Sequence, residues 1–123
     1  MAAEKNYENK IKAYLKENNA YFVKFFANRM TKTGVPDILA CVNGYFVAIE
    51  VKAEHGKPSE LQKYNVRQIN NSGGFAMILY PQDWESFKKL VEHLNLSELG
   101  HAQELCDKIN ERSLKDGEKE RTP

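Results

Sequence analysis

The chain has 123 residues, 41% hydrophobic and 28% charged, which is the length and composition of one ordinary domain with a single core. Its formal charge of +1 gives no argument for polyanion binding from net charge, although residues 1–95 are mildly basic and residues 96–123 mildly acidic. Two cysteines, Cys41 and Cys106, with no CxxC pair and no secretory leader, point to a reduced cytoplasmic protein, and no apolar run is long enough to cross a bilayer, so no membrane role is expected.

Residues 4–18 place Tyr7, Ile11, Tyr14 and Leu15 on one stripe and predict an amphipathic helix ended by Asn18-Asn19. Residues 20–27 (AYFVKFFA) are aromatic and β-branched and predict a strand, followed by a polar, basic loop over residues 28–34. Residues 37–42 and 45–53 read as two strands joined by Asn43-Gly44. After His55-Gly56-Lys57-Pro58, the capping pattern Ser59-x-x-Gln62 opens a helix that stops at Gly73-Gly74. Residues 75–80 (FAMILY) form a short, fully apolar strand, and Pro81-Gln82-Asp83 opens a helix running to about Leu94. The order is α-β-β-β-α-β-α. Leu99, Ala102, Leu105, Cys106 and Ile109 then share a stripe that predicts a helical segment over residues 96–114, and residues 115–123 read as a disordered tail.

Asn-Gly between two alternating runs signals a two-residue hairpin, because a type I′ turn requires positive φ at both central residues. With that turn Val42 pairs with Tyr45, and Asp37 falls opposite Glu50. Side chains alternate, so Asp37, Glu50 and Lys52 share a face with Leu39, Cys41, Phe46 and Ala48, while Ile38, Ala40, Val42, Tyr45, Val47, Ile49 and Val51 form the other, wholly apolar face. Two carboxylates about 5 Å apart repel unless a cation lies between them. Together with the Val51 backbone carbonyl they make a hard oxygen site suited to Mg²⁺, with Mn²⁺ as a substitute. An open site of this kind, shared with substrate phosphate, suggests phosphate-ester chemistry, in which the Lys52 amine can position or deprotonate water and offset charge on phosphoryl oxygens.

Gly34-x-Pro36-Asp37 followed by Glu50-x-Lys52 resembles the active-site signature of the PD-(D/E)XK nuclease superfamily. With Glu8 on the first helix, Gly56-Lys57-Pro58-Ser59 and Gln62 in this order, the chain is similar over about residues 4–92 to the VRR-NUC group. That group's small stand-alone members come from phages and prophages and resemble Holliday-junction resolvases. The resemblance implies a restriction-endonuclease-like α/β fold, a central mixed sheet flanked by helices. Residues 1–95 would form the nuclease domain and residues 96–114 an extension. The implied activity is metal-dependent DNA cleavage in which Asp37 and Glu50 bind the metal, Lys52 serves catalysis and Glu8 supports a ligand or second metal. Gln62 would orient water, substrate or Lys52, although it is equally placed to be the N3 partner of Ser59 in a capping box.

Arg29, Lys32 and Lys57 flank the site on loops as candidate phosphate contacts, or as ordinary solubilising charges. His55, His93 and His101 lack metal-ligand spacing and read as surface residues, and Trp84 reads as core or interface. Branched DNA is the leading substrate, cut by a homodimer whose two-fold axis matches a four-way junction. The alternatives are a nuclease or nickase on single-stranded, flap or duplex DNA, and a binding or regulatory module without turnover.

Overall fold

A computed structural model describes residues 2–26 and 33–114. Helix α1 (Ala2–Glu17) leads into strands β1 (Tyr21–Lys24), β2 (Ile38–Val42) and β3 (Tyr45–Val51). Helix α2 (Glu60–Asn71) crosses to β4 (Phe75–Leu79), and a 3₁₀ turn (Pro81–Asp83) opens α3 (Trp84–Asn95), followed by α4 (Leu99–Asn110). The sheet order is β1-β2-β3-β4, antiparallel up to β3 and parallel between β3 and β4. The architecture is a mixed sheet between helical layers, and the order of elements is the one the sequence predicts.

The hairpin register is also as expected. Asn43 and Gly44 take φ values of 52° and 86°, and Val42 pairs with Tyr45 through to Ile38 with Ile49. The apolar face of this hairpin packs with Tyr7, Ile11 and Leu15 of α1, Phe87, Leu90, Val91 and Leu94 of α3, and Ala102, Cys106 and Ile109 of α4. On the opposite face α2 covers a smaller cluster of Ala48, Val66, Ala76, Ile78 and Tyr80. α2 does not extend over β1 and the outer part of β2, so Tyr21, Cys41 and Phe46, which form one cross-strand row, remain exposed. Trp84 packs among Tyr7, Tyr14 and Phe87, a core role that its half-burial fits.

The strands are shorter than predicted at the site end. β1 stops at Lys24 and β3 at Val51, yet the Phe25 N–H still donates to the Asp37 carbonyl at 2.8 Å and the Lys52 N–H to the Leu79 carbonyl at 3.0 Å. The ladder therefore frays into single bonds where the charged residues begin. At the opposite margin of the sheet, β4 pairs with β3 alone among the described residues; Asn70 bonds both backbone groups of Ala76, and Asn110 bonds the Ile78 N–H and the Ala76 carbonyl. The expected boundary at residue 95 marks the end of α3 but no break in packing, because α4 contributes to the main core. Ala102, Cys106 and Ile109 of its apolar stripe are thus buried within the chain, Leu105 is half-buried and Leu99 stays exposed.

Candidate active site

Asp37 sits just ahead of β2, held from three directions. Gly34, at φ 80°, lets the preceding loop lie against α2, where the Asn65 amide donates to the Thr33 carbonyl at 3.3 Å. The Asp37 carboxylate then accepts the Val51 N–H at 2.8 Å, a bond that locks it against β3 next to Glu50. Glu50 is only 3% exposed, flanked by Ile78 of the parallel neighbour, and its partner is the Lys52 ammonium at 3.5 Å. Burial, and then the charge of Asp37, push the Glu50 carboxyl up to about 8, and Lys52 offsets only part of that rise.

Glu8 reaches the same end of the sheet from α1. It is 5% exposed, and its carboxylate meets Lys24 at 3.0 Å, Lys12 at 3.1 Å and Lys5 at 3.5 Å. Burial works to raise this carboxyl, but the bonds from Lys24 and Lys12 prevail and hold it below its ordinary value. Lys24 also lies 3.6 Å from Asp37, so one ammonium links the α1 carboxylate to the β2 carboxylate. Burial works to lower Lys24, but Glu8 and Asp37 outweigh it and hold the amine above its ordinary value.

The structure therefore brings Asp37, Glu50, Lys52 and, through Lys24, Glu8 together. The Gln62 side-chain oxygen accepts the Ser59 N–H at 2.9 Å while the Gln62 N–H donates to the Ser59 hydroxyl, which completes the capping box of α2. Lys57 is exposed on the loop after β3, and Arg29 and Lys32 lie outside the described residues. Val51 enters the site through its amide, which donates to Asp37. Two residues escaped the sequence reading. Lys24 had a signal, a single cation in an otherwise aromatic and β-branched strand, whereas the role of buried Asn65 depends on a tertiary approach that no local pattern encodes.

Among the described residues no group of three or more His, Cys, Asp or Glu side chains is arranged to hold a metal ion. The available donors are the Asp37 and Glu50 carboxylates. Two neighbouring carboxylates are hard oxygen donors, a chemistry that would suit Mg²⁺ or Mn²⁺.

A mixed sheet between helical layers, with Asp37 and Glu50-x-Lys52 on facing strand ends, defines the class of restriction-endonuclease-like nuclease domains. The family model described as archaeal Holliday junction resolvase (hjc) matches residues 2–111. The chain belongs to that family, a PD-(D/E)XK-like nuclease family, and the match takes in α4 as well as the region in which the signature lies. No curated protein and no solved structure matches the chain.

Proposed function

We propose that the protein is a divalent-metal-dependent endonuclease that cuts four-way DNA junctions, hydrolysing phosphodiester bonds. The observation that carries this reading is the Asp37–Glu50–Lys52 arrangement at the open end of the sheet, in a chain of the resolvase family. Asp37 and Glu50, with the Val51 carbonyl, would hold Mg²⁺ or Mn²⁺. A bound divalent cation supplies Lewis-acid polarisation of a phosphoryl oxygen and a more acidic water. The protein's own part is positional and electrostatic. The Val51 amide fixes the Asp37 carboxylate, and the sheet fixes Glu50 with little freedom to turn. Lys52, its side chain 13% exposed, stands where it can hold a water or offset charge on the phosphoryl oxygens. The finer likeness to the VRR-NUC group rests on Glu8, Gly34-Val35-Pro36-Asp37, Glu50-Val51-Lys52 and Gly56-Lys57-Pro58-Ser59.

A four-way junction presents two related strands, so the reading includes a homodimer. With Ala102, Cys106 and Ile109 of α4 buried, the uncovered sheet face around Tyr21, Cys41 and Phe46 is a surface that such a dimer could use.

The deciding experiment incubates the protein with labelled four-way junction, flap, single-stranded and linear duplex DNA in Mg²⁺, Mn²⁺ or EDTA. Junction cleavage with either metal and none in EDTA is expected. Equal cutting of all four substrates refutes junction selectivity, and full activity in EDTA refutes the metal. Lys52→Arg keeps a cation but removes a group able to act as a base, so a rate reduced by about a hundredfold or more assigns proton transfer to Lys52, while a retained rate assigns it an electrostatic role.

A further inference from the structure

We propose that Glu8 is the anchor of a phosphate-binding lysine track on α1, formed by Lys5, Lys12 and Lys16 and joined to the active site by Lys24, rather than a ligand to the metal. The inference rests on the nuclease reading above and names how that site would hold the substrate backbone. A carboxylate offers about four lone-pair sites. Three ammoniums already lie within 3.5 Å of Glu8, which leaves little capacity for a divalent cation.

The same contacts create a surplus of positive charge. Lys24 is shared between Glu8 and Asp37, so Lys5 and Lys12 together bring two charges against what remains of one carboxylate. Positions 5, 12 and 16 follow one another at seven and four residues and fall on a single stripe of α1, while Glu4 and Glu17 lie off it. At 1.5 Å per residue the stripe runs for about 16 Å. Duplex DNA carries one phosphate charge per roughly 1.7 Å of axis, so the track is long enough to meet several phosphates beside the bond to be cut. Buried Glu8 adds what scattered surface lysines lack: it holds Lys5, Lys12 and Lys24 in advance, so less of their rotamer freedom is lost when the backbone docks, while exposed Lys16 continues the stripe one turn further.

The test is the salt dependence of binding a labelled four-way junction, measured by fluorescence anisotropy in EDTA between about 50 and 200 mM salt, where each neutralised phosphate contributes about 0.9 to the slope. Lys12→Gln with Lys16→Gln, both at helix positions that accept glutamine, is expected to lower that slope by close to two and to weaken binding at least tenfold. Glu8→Gln is expected to leave Mn²⁺ affinity, read by electron paramagnetic resonance, within twofold of the unaltered protein. An unchanged slope in the double variant overturns the track, and a tenfold or greater loss of Mn²⁺ affinity in Glu8→Gln restores Glu8 as a ligand. The lysine variant decides the track even if Glu8→Gln fails to fold. If the unaltered chain neither binds nor cuts the junction, the nuclease reading itself falls; if it does both and the slope is unmoved, only the track falls.

Discussion

Because Glu50 is pushed up to about 8, its carboxyl holds a proton near neutral pH in the metal-free protein. The unfolded chain releases that proton near 4.5, so the folded state binds more protons between the two values and loses stability as pH rises through that window. The contribution is fully present below about 4.5 and gone above about 8. Metal-free unfolding by urea should show stability falling with pH at up to about 1.4 kcal/mol per unit, and Mn²⁺ affinity should rise over the same window as the proton leaves. A flat profile would mean that Glu50 is already ionised. Asp37 invites a paired comparison. Asp37→Asn removes the repelling charge but keeps an acceptor for the Val51 N–H, so it should abolish cleavage while raising metal-free stability at pH 8. Asp37→Ala leaves that amide without its partner and should be less stable than the asparagine variant by about 1–3 kcal/mol. Asp37, Glu50 and Lys52 were legible because hairpin register is arithmetic once the turn is recognised. Asn65 was not, since its role arises only when α2 docks on the sheet, and Lys24 left only the trace of a lone cation in an aromatic and β-branched strand.

The segment that leads into β2 shows how one element constrains the next. An alanine Cβ at Gly34 would lie 2.7 Å from the Asn65 amide nitrogen, 2.8 Å from Leu61 Cγ and 2.9 Å from the Leu61 carbonyl oxygen, in addition to the strain of its positive φ. Gly73 also has positive φ, 99°, but open space around it. Gly73→Ala should therefore cost about 1–2 kcal/mol from backbone strain alone, while Gly34→Ala should cost more and depress cleavage as the Asp37 loop is pushed off α2. Equal losses in urea unfolding would show that the Asn65 contact contributes nothing. The capping box of α2 is a local pattern, visible in Ser59 and Gln62 and formed as read. The same local bond draws the Gln62 side-chain oxygen to the Ser59 amide, so the pattern that identified the residue also gave it a structural occupation.

Across the whole molecule, α4 is what the sequence left open. Periodicity shows that a helix has an apolar stripe but not whether its own sheet or another chain will cover it. Here Ala102, Cys106 and Ile109 join the main core, Arg112 pairs with Asp83 at 2.9 Å, and the Ser113 hydroxyl approaches that of Tyr80. A chain ending at Asn95 loses all of these. The burial of Ile109 alone is worth about 2–5 kcal/mol, so the truncated chain should unfold at markedly lower urea or fail to fold. An unchanged unfolding midpoint would return α4 to the status of an appendage. Tyr80 links this region to the loop after β3, since its hydroxyl donates to the Gly56 carbonyl at 2.8 Å, four residues beyond Lys52. The two asparagines along β4 give the sheet a direction. They take the place of a next strand at the Ala76 N–H and carbonyl and the Ile78 N–H, so among the described residues the margin with more unpaired backbone to offer a foreign strand is β1, beside Lys24. An extended peptide that added at β1 would lie next to Lys24 and Asp37, so on the nuclease reading it should act as an inhibitor before it could act as a seed.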